Sequence, residues 1–134
     1  MKGLKAGSSS AGGGTPIPTF LSLVSSGILQ NNCTISGNVS QGNAYLSVFG
    51  TSPGYINIPN IVSGYNKLTA VLQCTAIYTQ LRITVNGRSI TSPSNTNRNT
   101  VNLELSNVEP ISSITLQLTP YQDGVNIFDV WLSQ

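Results

Sequence analysis

Few side chains of this chain can take part in acid–base or nucleophilic chemistry. The sequence contains no histidine, the residue that most often titrates near neutral pH in enzymes. The remaining candidates are four carboxylates and two thiols, at Glu104, Glu109, Asp123, Asp129, Cys33 and Cys74. Neither thiol has a histidine to deprotonate it, which disfavours a catalytic cysteine. We therefore predict a protein that is not an enzyme and has no catalytic residues.

The four carboxylates occupy positions that are typical of turns and outward-facing strand residues. Glu109 precedes a proline, and Asp123 and Gly124 form a turn signature. Two alternatives stay open: a glycosidase pair drawn from the four acids, and a calcium site using Asp123 and Asp129. The favoured interpretation is that these are ordinary surface acids, with no metal and no cofactor.

The two cysteines, Cys33 and Cys74, both fall on predicted strands. A disulfide between two strands or two sheets is conceivable, but no apolar signal segment follows Lys2 and Lys5 to indicate export. We therefore predict two buried free thiols that pack as small apolar groups. The chain has no CxxC motif, so a zinc site is also disfavoured.

Charge and composition limit the classes of partner. The formal net charge is +2, and the excess comes from Lys2 and Lys5, because the four acids balance the other basic residues. Without a basic cluster we predict no nucleic-acid binding. The apolar runs are far shorter than the roughly 20 residues needed to cross a bilayer, so we predict no membrane partner. Ser, Thr and Asn make up about a third of the chain and give a neutral, hydrogen-bonding surface.

Period-two alternation of apolar and polar residues runs through most of the chain. It predicts an all-β fold, an antiparallel jelly-roll-like β-sandwich of about eight or nine strands. Met1–Pro18 is rich in Gly, Ser and Pro and is predicted to be an extended, flexible N-terminal arm, with Thr19–Gln134 as the sandwich domain. The predicted strands are Ile28–Ser36, Ala44–Phe49, Tyr55–Ile58, Lys67–Cys74, Gln80–Val85, Arg88–Thr91, Thr100–Ser106, Ser113–Thr119 and Asn126–Leu132.

Within these strands the alternation also predicts which residues face the core. Asn86 and Gly87 fit a two-residue hairpin turn, since both tolerate positive φ. On the last strand, Phe128, Val130 and Leu132 are expected in the core. Trp131 then lies on the opposite face, where partial exposure would indicate a contact with a ligand or a subunit.

The segment Tyr78–Gln134 resembles the second half of a galactose-binding-like jelly roll, the superfamily that includes many carbohydrate-binding modules. Three stretches carry the resemblance: LRITVNGRSI, NTVNLELSN and ISSITLQLTPYQDGVNIFDVWL. In such modules the ligand site combines loop aromatics with a polar residue on the closing strand. The resemblance implies Asn126 as that polar residue and Tyr121 as the nearest loop aromatic.

Two functions follow from these features. The favoured prediction is a virion structural protein of a tailed phage, a capsid decoration (cement) or tail adaptor protein, made in the host cytoplasm. It would bind other virion subunits and form a homo-oligomer such as a trimer. The alternative is a carbohydrate-binding module or host-glycan recognition domain. In both cases the expected ligand or subunit contacts are Tyr121, Asn126, Asp129 and Trp131.

Overall fold

The alternating segments fold into twelve β-strands in the part of the chain that the structure, a computed structural model, describes: residues 19–120 and 123–134. Met1–Pro18, predicted to be an arm, and Tyr121, a predicted contact residue, lie outside the described residues. The strands are β1 (Phe20–Ser25), β2 (Ile28–Leu29), β3 (Thr34–Gly37), β4 (Val39–Gln41), β5 (Leu46–Phe49), β6 (Gly54–Val62), β7 (Lys67–Cys74), β8 (Leu81–Val85), β9 (Arg88–Thr91), β10 (Arg98–Glu104), β11 (Ile111–Leu118) and β12 (Gly124–Ser133).

The strands form two antiparallel sheets that pack face to face. The larger sheet has the order β10-β7-β12-β1-β2, and β5 joins it by pairing with β12 while β4 pairs with β5. The smaller sheet has the order β3-β6-β11-β8-β9. The prediction of an all-β, antiparallel sandwich is thus confirmed. Among the described residues, no helix is long and apolar enough to span a bilayer.

The number of strands exceeds the predicted eight or nine for two reasons. The first reason is that the predicted strands include neither β1 nor the three-residue strand β4. The predicted strand Ile28–Ser36 is interrupted, because Asn31 and Asn32 have φ values of 54° and 61° and turn the chain between β2 and β3. Successive left-handed residues cannot continue an extended strand.

The core lies between the sheets and follows the predicted alternation on β8 and β11. Leu81, Ile83 and Val85 are at most 1% exposed. Leu118 and Leu116, which pair with Leu81 and Ile83 on β11, are also buried. The hairpin between β8 and β9 is confirmed at Asn86 and Gly87, which have φ values of 50° and 81°. Burial of one face on each sheet leaves the two outer faces for other contacts.

On β12 the predicted alternation breaks at a β-bulge. Ile127 pairs with Leu72 and Asp129 pairs with Val71, so Phe128 is an extra residue without a partner in this register. One inserted residue moves the side chains that follow to the other face. Val130 and Leu132 are buried as predicted, but the prediction that Phe128 shares their core-facing side is wrong.

The long strand β12 occupies the centre of the larger sheet. It pairs with β7 along most of its length. On its other side it pairs first with β5, over 124–127, and then with β1, over 130–133. The outer surface of β12 is therefore flanked by three strands, and side chains from all of them converge there.

Candidate functional site

Aromatic side chains gather on the outer face of the larger sheet. We call this surface the aromatic face, and it carries Phe20, Tyr45, Phe49, Phe128 and Trp131. Phe20 and Phe49 are 53% and 57% exposed, and the other three are half-buried. Soluble proteins seldom expose several large aromatics on one surface, so this face is the leading candidate for a contact surface.

One aromatic pair lies where β12 meets β1. Trp131 on β12 is directly opposite Ser22 on β1 and Thr69 on β7. The ring of Phe20 contacts the indole, with centroids 5.8 Å apart and a tilt of 35°. Trp131 is thus on the outer face, as predicted, and the pair presents a continuous apolar patch at this end of β12.

A second aromatic cluster surrounds the bulge. The ring of Tyr45 meets the ring of Phe128 edge to face, with centroids 6.2 Å apart. The guanidinium of Arg98 lies over Phe128, 3.7 Å from the ring centroid. Because Arg98 projects from β10, its side chain crosses β7 to reach the centre of the sheet. The bulge therefore joins an aromatic ring and a cation at one place.

A row of polar residues crosses the strands beside this cluster. Arg98, Gln73, Asn126 and Ser47 occupy matching register positions on β10, β7, β12 and β5. The Gln73 Nε2 donates a hydrogen bond to the carbonyl of Thr96 at 2.8 Å. The side chain of Asn126 makes no hydrogen bond to any residue of 19–120 or 123–134. Its amide is thus available to both donate and accept.

Asp129 has a different role from its neighbours on β12. Its Oδ1 accepts a hydrogen bond of 2.9 Å from the backbone N–H of Ser26. Ser26 and Gly27 have φ values of 48° and 75° and form the turn between β1 and β2. Asp129 therefore holds this turn against β12 at the edge of the aromatic face.

The structure brings together two of the predicted contact residues, Asn126 and Trp131, on the aromatic face. Asp129 lies at the edge of that face. Sequence reasoning misses Arg98, which precedes the predicted strand Thr100–Ser106 but is the first residue of β10, and Phe128, which the alternation places in the core. The alternation of Tyr45 and Phe49 with Leu46 and Val48 is the sequence signal that points to this surface. Leu46 and Val48 are fully buried, which places Tyr45 and Phe49 on the outer face.

The remaining carboxylates are separated from one another. Glu109 pairs with Arg88, with Oε1 3.6 Å from Nε and both side chains close to half exposed. Glu104 is exposed on β10. Within the described residues no group of three or more Asp, Glu, Cys or His side chains could hold a metal ion.

Both cysteines are buried free thiols in the structure. Burial raises the pKa of each thiol above its ordinary value of 9.0, and at Cys74 a contact with the Ser92 hydroxyl opposes this effect. Cys33 borders a groove of about 260 Å³ between β1 and β6, together with Leu23 and Ile58. Neither thiol lies on the aromatic face.

No family model and no curated protein sequence matches this chain. Solved structures match it over most of its length. A family 29 carbohydrate-binding module from Piromyces equi is 12% identical, with coverage of 87% of this chain and 91% of that chain and a TM-score of 0.66. A variant of a family 29 module complexed with cellulohexaose is 14% identical, with coverage of 86% and 90% and a TM-score of 0.66. At these identities the likeness shows a shared β-sandwich fold.

Proposed function

We propose that this chain is a non-catalytic carbohydrate-binding domain that holds a glycan on the aromatic face. The observation that carries the proposal is the presence of two aromatic pairs, Phe20 with Trp131 and Tyr45 with Phe128, on the outer face of one sheet. The same face carries the amide of Asn126, which has no hydrogen-bond partner among the described residues. The fold it shares with family 29 carbohydrate-binding modules supports the same class of ligand.

The chemistry of the aromatic face suits a sugar. A pyranose ring has an apolar C–H surface that packs on an aromatic ring, and its hydroxyls need hydrogen-bond partners at the rim. Ligand sites commonly combine an apolar surface with a few well-placed polar groups that fix orientation. Trp131 with Phe20 supplies the first element. Asn126, about 13 Å further along the same face of β12, supplies the second to another unit of a glycan chain.

The outer face of the smaller sheet lacks this combination. Its polar side chains are largely bonded to one another: Arg82 Nη2 donates to Gln117 Oε1 at 3.0 Å, and the hydroxyls of Thr84 and Ser89 are 2.8 Å apart. Polar groups that already pair with each other have less to gain from a ligand. The aromatic face is therefore the favoured binding surface.

The two acids on the larger sheet are too far apart for glycoside hydrolysis. Asp129 is level with Thr100 across β7, and Glu104 lies four residues further along β10. At roughly 3.3 Å per residue their Cα atoms are about 13 Å apart along the strands alone, and two strand spacings add to this. Glycosidase carboxyl groups lie roughly 5 to 9.5 Å apart. The geometry supports binding without cleavage.

The test of this proposal is replacement of Trp131 by alanine. We expect the W131A variant to bind a glycan captured by the native protein at least about tenfold more weakly, because the variant loses the indole on which a sugar ring stacks. Tyr78→Ala is the matched control, since Tyr78 is 67% exposed on the loop after β7 and not on the aromatic face. Binding is measured by a glycan array that includes cellulohexaose, followed by calorimetry on the strongest hit.

Two results would contradict the proposal. One is the absence of any glycan hit with folded native protein. The other is a self-associated native protein that W131A converts to a monomer, seen by light scattering, which would show that a second copy covers the aromatic face.

The favoured sequence prediction, a phage virion subunit, gains no support from the comparisons, which favour the carbohydrate-binding alternative. A role in a virion, a virion location and a homo-oligomeric state stay predictions. Light scattering of the full chain, with and without Met1–Pro18, addresses the last of these.

A further inference from the structure

We infer that the glycan bound at the aromatic face is acidic, and that Arg98 binds the carboxylate of a uronic acid unit. This inference rests on the proposed function and names the ligand class for the same site. It is carried by the position and the surroundings of the Arg98 guanidinium.

The guanidinium of Arg98 is held in place without being neutralised. Its Cζ lies over Phe128, 3.7 Å from the ring centroid, and the residue is exposed to solvent. Contact with a ring does not use up the N–H donors of a guanidinium. Those donors are thus available to a ligand.

The other arginines of the described residues have polar partners, and Arg98 does not. Arg88 pairs with Glu109, and Arg82 bonds to Gln117. Among residues 19–120 and 123–134, the Arg88 pair is the one salt bridge. Asp129 is the acid on β12, the strand that carries Phe128. Its Oδ1 accepts a hydrogen bond from the Ser26 N–H, on the β1 side of the strand.

The neighbours of Arg98 also favour a carboxylate. Asn126 precedes Phe128 by two residues, and it occupies the same register row as Arg98 across Gln73 of β7. Its amide, which bonds to no described residue, is therefore on the same outer face as the guanidinium. A carboxylate that accepts two parallel bonds from an arginine fork, with a third donor nearby, is bound more strongly than a neutral hydroxyl. On the same face, Lys67 and Glu104 are directly opposite one another, which balances their charges locally.

The experiment compares two matched polymers: polygalacturonate and the same polymer after reduction of its carboxyl groups to primary alcohols. We expect the native protein to prefer the uronate form by at least about tenfold. Arg98→Gln should remove that preference, and Arg98→Lys should retain only part of it, since an ammonium lacks the planar fork. Affinity electrophoresis or calorimetry measures both ligands.

Arg82→Gln is the matched control, because it removes the same charge from an exposed strand residue of the smaller sheet. We expect it to keep the native preference. Thermal unfolding of each variant establishes that it is folded, and Arg98 is an exposed residue whose replacement leaves the core intact.

The outcomes separate this inference from the proposed function. Equal binding of the two polymers, or binding of neutral glycans with no change in R98Q, overturns the acidic-ligand inference and keeps a carbohydrate-binding role. Loss of the uronate preference in R82Q as well as R98Q also overturns it, because the effect would then reflect net charge. Absence of binding to every glycan overturns both.

Discussion

At the scale of single residues, the side chains that face outward and those that face inward have separate roles. On the aromatic face, Arg98 lies over the ring of Phe128 and Trp131 contacts Phe20, and no described acid pairs with Arg98. Cys33 and Cys74 are 5% and 1% exposed and pack in the core. The two thiols are thus structural, and the aromatic, amide and guanidinium groups of the aromatic face are the ones available to a ligand.

The buried thiols give a prediction about pH and redox state. Because burial raises their pKa above 9.0, the folded state binds these protons more tightly than the unfolded state does. Their contribution to the free energy of unfolding is therefore complete below about pH 9. It is lost as the pH rises through the raised pKa values that the two thiols have in the folded state. We expect the urea midpoint to fall at alkaline pH and to be unchanged by dithiothreitol.

The reaction with DTNB checks the same point. Native protein should react slowly at about pH 8 and unfolded protein quickly, since the thiolate is the reactive form. Fast labelling of the native protein, or a stability that drops on reduction, would show that the thiols are exposed or paired.

At the scale of elements, the bulge on β12 decides the composition of the site. Alternation in the sequence correctly predicted the buried residues of β8 and β11, where pairing is regular. It failed at Phe128 because a bulge is set by how β12 pairs with β7, which strict alternation does not reveal. It missed β1, and with it the position of Phe20 beside Trp131.

The start of β6 gives a prediction at this scale. Gly54 is buried and pairs with Gly37 on β3 and Leu116 on β11. A Cβ at this position would overlap Cγ2 of Val39 and come within 2.9 Å of the carbonyl carbon of Asn38. We expect Gly54→Ala to lower the free energy of unfolding by about 1–3 kcal/mol through overpacking.

The control is Gly87→Asn in the β8–β9 turn, where a Cβ would meet nothing within 4 Å. Asparagine tolerates the positive φ of this position, so we expect a change within about 0.5 kcal/mol. Urea denaturation measures both variants. A Gly54→Ala protein as stable as the control would show that β4 does not approach β6 this closely.

At the scale of the whole molecule, the two outer faces of the sandwich differ. One carries the aromatic side chains, and on the other the polar side chains are largely hydrogen-bonded to one another. The described acids are distributed over turns and strands and do not surround the aromatic face. This contrast between the two faces is the basis of the proposed carbohydrate-binding role, and the fold is similar to that of family 29 carbohydrate-binding modules.

We therefore expect binding without turnover. Incubation of the pure protein with a polysaccharide that it binds should release no reducing ends above a buffer blank, while a commercial glycoside hydrolase serves as the positive control. The physical reason is the large separation of Asp129 and Glu104 compared with the spacing that hydrolysis needs. Release of reducing ends that is lost in Asp129→Asn would contradict this expectation.

The amino-acid sequence by itself determined the all-β fold, most strand positions, the Asn86-Gly87 hairpin and the shortage of catalytic groups. These features depend on local period-two alternation and on residue type. Only the tertiary structure decided which outer face carries the site, because Phe20 and Trp131, or Arg98 and Phe128, meet through pairing between strands distant in sequence. Such pairing, and the bulge that it imposes on β12, comes from hydrogen bonds across the sheet, which no local pattern of residues specifies.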